Sequence, residues 1–235
     1  MMIEEEYEYR VVNNEHGKFC VPTSSSYTYT SQAILAGRVH EPGTIDFIIG
    51  NHKGMDVIHA GAGFGDFLPA LSRGCPGTIF TFEPNNENYF CARKTVEINN
   101  LKNVDLRNCG LGDVSTTRHV KVLENGIALG PRSETCELTI ANGESQECKV
   151  FRLDDLFPDH QFSIIHLDTE GYEFRILDGA AQLIERCSPL IILEIDDRAL
   201  RYNEYMRSIG YRPARQLIYD AKEMVFVNTV YERRA

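Results

Sequence analysis

Short apolar runs that stop at glycine or acidic turns alternate with stretches of helical apolar spacing through most of this chain. Met55, Val57 and Ile58 form one such run, ending in Gly61-Ala62-Gly63-Phe64-Gly65, and Phe64, Phe67, Leu68 and Leu71 follow at helical spacing. The pattern predicts a strand, a glycine turn and a helix. Pro69 falls in the first turn of that helix, where a missing N–H costs little, and Gly74 is placed to stop it. Thr78 to Phe82 is a second buried-strand candidate that runs directly into Glu83, so the unit reads as β-α-β with a carboxylate at the tip of its second strand.

The same rhythm continues. Asn85-Asn86-Glu87-Asn88 is a cap-rich entry to a helix with Tyr89, Phe90, Ala92, Val96 and Ile98 towards the sheet, ended by Asn99-Asn100. Val104 to Arg107 is the next strand, and Cys109-Gly110-Leu111-Gly112-Asp113 is the turn at its carboxyl end. Residues 114–150 break the alternation with β-leaning pieces (118–123, 135–140 and 146–153) and turn signals at Asn125-Gly126 and Asn142-Gly143, the latter predicting a hairpin between the last two pieces. Phe162 to Leu167 is a buried strand stopping at Asp168-Thr169-Glu170-Gly171, and a helix is expected from Tyr172 to Glu185. Leu190 to Leu193 suits a central parallel strand, and a helix (199–208) and two strands (217–219 and 224–230) close the chain. Before all this, 11–22 reads as a hairpin, the hydroxyl-rich 23–30 as a loop or lid, Ser31 as the cap of a short helix, and Pro42 to Ile49 as a further helical turn or two. The expectation is one domain over 1–235: an N-terminal lid or appendage (1–50) and a doubly wound α/β core (51–235) with one antiparallel strand and a β excursion at 114–150.

Composition narrows the partners. The 235 residues carry a formal charge of −10 with no basic cluster, which disfavours nucleic acid. Seven scattered cysteines without a C-x-x-C pair suggest neither a disulfide scaffold nor a zinc site. No membrane span or signal peptide is visible in the pattern, so the expected location is the cytoplasm.

The chemistry concentrates at strand ends. An acidic residue about twenty positions after a glycine turn can accept hydrogen bonds from ribose hydroxyls. The run G-A-G-F-G-D lacks the glycine spacing that cradles a pyrophosphate, so S-adenosylmethionine (SAM) suits it better than NAD; the glycine turn alone is equally compatible with tight packing in an ordinary α/β protein. If 162–168 is a strand, His166 and Asp168 share a face near its ligand-binding end. Asp168, which ends the strand, is the better candidate base, and His166 is more simply a core histidine. Glu170 and Glu173 suit a helix N-terminus. Asp168, Glu170 and Glu194 offer oxygen ligands without a fixed spacing, so no metal is expected.

With the strands placed, 57–65 (VIHAGAGFG), 81–85 (TFEPN), 152–156 (RLDDL), 165–173 (IHLDTEGYE) and 191–194 (IILE) resemble the FkbM-type branch of class I SAM-dependent methyltransferases from about residue 30 onwards. The resemblance implies a Rossmann-like, seven-stranded sheet, SAM as methyl donor, and O-methylation of a sugar or other small metabolite. Carried over by position, His59, Gly61, Gly63, Phe64 and Gly65 surround the methionine and ribose, Glu83-Pro84 binds the ribose, Gly112-Asp113 flanks the adenine, and Asp168 lies near the sulfonium and acceptor, with His166 beside it as a second catalytic candidate. The family usually has Asp at the position of His59, Asn at that of Gly63 and Lys at that of His166. A non-catalytic SAM- or nucleoside-binding protein is the alternative, and an NAD-dependent oxidoreductase is disfavoured.

Overall fold

The computed structural model describes residues 7–136, 144–194, 199–220 and 225–234. It opens with an antiparallel hairpin of β1 (Tyr9–Asn14) and β2 (Gly17–Pro22). Helix α1 (Tyr29–Leu35) starts one turn before the expected cap: Thr28, in extended backbone, accepts the Ser31 N–H, and Ser31 lies inside the helix. Helix α2 (Pro42–Asn51) has Pro at its first position.

The core then alternates as the apolar pattern predicts: β3 (Asp56–Ala60), α3 (Leu68–Gly74), β4 (Ile79–Phe82), α4 (Asn86–Asn99) and β5 (Val104–Arg107). Asn85 caps α4 by accepting the N–H groups of Glu87 and Asn88 at 2.9 and 3.2 Å, and Asn100 ends it in the left-handed region.

The excursion comprises β6 (Gly110–Leu111), β7 (Thr116–Lys121), β8 (Leu123–Glu124), β9 (Ile127–Ala128), a 3-10 turn at Gly130–Arg132, β10 (Glu134–Cys136) and β11 (Ser145–Phe151). Its hairpin turn is Asn125-Gly126, both with positive φ, joining β8 to β9. Asn142-Gly143 lies outside the described residues. The strands on either side of it are not neighbours there, because β7 sits between β10 and β11 in the order β10-β7-β11-β6.

The remaining elements are α5 (Leu153–Leu156), β12 (Phe162–Leu167), α6 (Glu173–Asp178), α7 (Ala181–Cys187), β13 (Leu190–Glu194), α8 (Ala199–Ser208), β14 (Tyr211–Asp220) and β15 (Val225–Arg233). The single helix expected over 172–185 is broken at Gly179. A Cβ there would stand 1.9 Å from the Gly112 carbonyl oxygen, and the Gly179 carbonyl accepts the Asp154 N–H.

The main sheet has seven strands in the order β14-β15-β13-β12-β3-β4-β5, parallel from β13 to β5, with β15 antiparallel to both its neighbours. Both faces are covered. Ile58, Phe82, Ile165 and Leu193 pack with α6 and α7 on one face, and Val57, Ile79, Ile164 and Ile192 pack with Phe64, Leu68 and β2 on the other. Burying such runs on both sides at ~25 cal/mol per Å² of apolar surface is the main stabilising term. No helix among the described residues is long and apolar enough to cross a membrane.

Candidate active site

At the carboxyl edge of the sheet the apolar face turns polar. Thr81, His59, His166 and Ile192 lie abreast on β4, β3, β12 and β13, and beyond them Glu194 pairs with Asn228 of β15. Backbone hydrogen bonds hold this edge. The N–H groups of Gly61 and Ala62 donate to Phe82 O at 3.1 and 3.0 Å, and the Asp168 N–H donates to Ala60 O at 3.1 Å. Gly61 sits at φ +91°, and a Cβ on it would stand 1.8 Å from the Asp168 carbonyl oxygen. Glycine at this position lets the ends of β3 and β12 meet.

Glu83, at the tip of β4, is 5% exposed and accepts the Gly63 N–H at 2.8 Å on one carboxylate oxygen and the Asn85 N–H at 2.9 Å on the other. The Asn88 side chain is a third hydrogen-bond partner, which still leaves the carboxylate acceptor capacity for a ligand hydroxyl. Burial raises its pKa to about 8, opposed by those backbone N–H groups.

Asp168 follows β12 in a turn held by Glu173. The Glu173 carboxylate accepts from the Thr169 N–H, the Thr169 hydroxyl and the Gly171 N–H, each at 3.1 Å, and from the Tyr202 hydroxyl at 2.7 Å. Burial first, then the carboxyls of Glu194, Glu41 and Glu170, hold Asp168 well above the ordinary carboxyl range. Glu194 also hydrogen-bonds Asp168, and a bond between two carboxyls requires one of them to carry the proton. Glu41, buried at the start of α2, accepts from Asn228 Nδ2 at 2.5 Å, and burial with the nearby Glu194 raises it to about 7. Asp66 is likewise raised to about 7 by burial.

His59 and His166 meet Nδ1 to Nδ1 at 2.8 Å with their rings 2° from parallel, and Phe67 stacks against both. Such a contact requires opposite tautomers, one ring donating and the other accepting. Burial, then the neighbouring His166, lowers the pKa of His59 well below the ordinary histidine value, and burial lowers that of His166 to about 4, so the pair is neutral near pH 7.

Two connected cavities open above this edge. A narrow slot is walled by Phe82, Glu83, Pro84, Leu111, Tyr172 and Ile176, and it reaches Gly61 and Asp168. A chamber of about 280 Å³ continues from the same Gly61 and Asp168 past His59, Gly63, Asp66, Glu173 and Glu194 to Tyr29. Pro131 touches both cavities, as part of a roof built from two distant segments. Gly130, at φ +58°, lies so close to Ser25 that a Cβ would stand 2.4 Å from the Ser25 Cβ. The Tyr27 hydroxyl donates to Ala128 O at 2.5 Å, and Asn88 and Asn85 tie Gly130 and Ser133 to α4 at 2.9 and 2.7 Å.

The expected site residues therefore divide. Glu83, Pro84, Gly61 and Asp168 line the slot, and His59, Gly61, Gly63 and Asp168 line the chamber. Phe64 is packed in the core, and the space a Gly65 Cβ would need is bounded by Leu68, Ala92 and Thr95. His166 is fully buried behind His59. Where adenine was expected at Gly112-Asp113, the slot is walled instead by Cys109, Gly110 and Leu111, whereas Gly112 packs on Val150 and Tyr172 and the Asp113 carboxylate pairs with Arg175 at 3.0 Å. Sequence reasoning missed Asp66, Glu41 and Arg132. Asp66 directly follows Gly65 in the turn between β3 and α3, where the glycine pattern drew attention but the acid did not, and Glu41 and Arg132 sit in turns with no periodic signal. Among the described residues no group of three or more His, Cys, Asp or Glu side chains is arranged to hold a metal ion.

The strand order, the antiparallel β15 and the glycine turn facing the carboxylate of the next strand define a class I methyltransferase fold. Residues 49–213 match the methyltransferase FkbM domain, and the chain belongs to that family. Among solved structures, the methyltransferase FkbM from Methylobacillus flagellatus KT aligns with TM-score 0.54 at 19% identity, covering 75% of this chain and 43% of that one. The Pyrococcus abyssi tRNA (uracil-54, C5)-methyltransferase in complex with S-adenosyl-L-homocysteine aligns with TM-score 0.52 at 14% identity, covering 97% and 45%. The chain thus spans less than half the length of either. No curated protein matches it.

Proposed function

We propose that the protein is a SAM-dependent methyltransferase acting on a hydroxyl of a small acceptor such as a sugar. The observation that carries this reading is that Glu83 and Asp168, from the ends of different strands, line one slot. The residues fit the cofactor. Phe82, Pro84, Leu111 and Ile176 offer apolar faces to a purine, Glu83 offers acceptors to a ribose diol, and Gly63, where a Cβ would meet nothing nearer than 3.7 Å, leaves the turn open towards the chamber.

Bound SAM supplies a methyl group on a sulfonium, transferred in line to a nucleophile. The chain positions the partners and keeps out water, which the roof of Tyr27, Gly130 and Pro131 favours. The Asp168–Glu194 pair shares a proton in its hydrogen bond, and an oxygen of the pair that is left ionised is a base able to take the proton of an acceptor hydroxyl. The −10 charge is unfavourable for a polyanionic acceptor, which supports a small molecule over RNA. Calorimetry and thermal melts with S-adenosylhomocysteine test the reading: micromolar binding and a raised melting temperature are expected, and absence of both would remove it.

A further inference from the structure

The chamber is an inhospitable place for a negative charge. Its walls include the carboxyls of Asp66, Asp168, Glu170, Glu173 and Glu194, and among the described residues lining either cavity Arg132 is the only lysine or arginine. That arginine is held in place. Its guanidinium donates to the Tyr27 hydroxyl at 3.1 Å and lies 5.7 Å from the centre of the Tyr27 ring, while the same hydroxyl donates to Ala128 O. One nitrogen is thereby engaged, and the rest of the planar fork stays available for an oxyanion.

We propose that Arg132 binds the α-carboxylate of the cofactor's methionine tail. This rests on the SAM reading above. With purine and ribose in the slot at Glu83, the amino-acid end passes Gly61 and Gly63 into the chamber, where its ammonium meets carboxyls and its carboxylate has Arg132 as its one cationic partner. The excursion of 114–150 then serves the cofactor as well as roofing the site, and Tyr27 is a positioning residue acting through Arg132.

The test compares two probes by calorimetry on the full chain. S-adenosylhomocysteine carries the amino-acid tail; 5′-methylthioadenosine shares the adenosine and thioether and lacks both charged groups. Arg132→Ala is expected to weaken S-adenosylhomocysteine binding by about tenfold or more and to leave methylthioadenosine unchanged, with Arg132→Lys in between because a point charge replaces a fork. Unchanged S-adenosylhomocysteine affinity in Arg132→Ala overturns the proposal and leaves an acidic group of the acceptor as the remaining partner for Arg132. Parallel loss of both probes also overturns it, since the role would then be to hold the roof. Failure of the SAM reading looks different: the unaltered protein would bind neither probe.

Discussion

Replacing Glu83 by Gln tests the centre of the site with the smallest change of shape. The carboxylate accepts one backbone N–H on each oxygen, from Gly63 and Asn85, at 5% exposure. A glutamine offers one oxygen and one NH₂, so one of those N–H groups must face a donor. An unsatisfied buried donor costs ~1–3 kcal/mol, which in a domain of this size lowers Tm by roughly 2–10 °C. The penalty depends on pH. Because the folded pKa of about 8 lies above the ordinary 4.5, the folded state holds this proton across that window. The stability it contributes is full below 4.5 and lost as pH rises through 8, on the order of 5 kcal/mol over the whole range. Gln has no such loss, so the variant should be less stable at pH 5 and, because the parent's loss exceeds the ~1–3 kcal/mol deficit, more stable than the parent by pH 9. Ribose binding should suffer as well above pH 8, where Glu83 is ionised: losing one charged hydrogen bond of ~1.5–3 kcal/mol is about 10- to 100-fold in affinity. Urea melts from pH 5 to 9 and calorimetry with S-adenosylhomocysteine measure both effects. Parallel pH–stability curves would refute the buried-charge argument, and unchanged affinity in the folded variant would refute the ribose assignment.

Other predictions follow from the same geometry. The unliganded protein should lose stability as pH climbs from about 5 to 8, because the raised carboxyls outnumber the lowered histidines. Glu41, Asp66 and Glu83, all raised, lose their contribution as pH climbs from 4.5 towards 8, while His40 and His166, lowered to about 4, lose theirs as pH falls from 6.5 towards 4. Chemical denaturation that rises steadily from pH 6.5 to 8 would contradict this. Gly130→Ala combines a Cβ 2.4 Å from Ser25 with φ +58°, and should cost ~1–3 kcal/mol while loosening the roof, seen as faster proteolysis near 127–133. Thr95→Val removes a buried hydroxyl that accepts the Cys20 N–H at 3.0 Å and donates to Phe64 O at 3.1 Å; a loss of ~1–3 kcal/mol in urea melts is expected, and a neutral result would mean that β2 does not depend on this bridge.

The parallel core was legible because its strands are near-continuous apolar runs and its helices begin and end on residues that do identifiable work. Pro69 in the first turn of α3 and Asn85 before α4 stand where their chemistry puts them. Glu83 and Asp168 were legible as strand-terminal acids. The excursion was less so: β7 divides β10 from β11, and short polar strands carry no mark of which partner they take. The glycine motif illustrates the limit most directly. G-A-G-F-G reads as space left for a ligand, yet a Cβ on Gly61 would meet the Asp168 carbonyl and one on Gly65 would meet α4, which leaves Gly63 as the one open to the chamber. Glu41 and Arg132 reach the site by tertiary placement alone.

The stitching of Gly61 to Phe82 and of Asp168 to Ala60 has an evolutionary corollary. The separation between Glu83 and Asp168 is fixed by main-chain geometry, which side-chain replacement scarcely alters. The opposite wall, assembled from residues 24–30 and 127–133, is held instead mostly through side chains, among them Tyr27 on Ala128 O, Asn88 on Gly130 O and the Ser25–Gly130 seam. Descendants of this chain could therefore exchange one acceptor for another by rewriting that wall around a retained Tyr27 and Arg132, the pair that would keep the donor's tail seated.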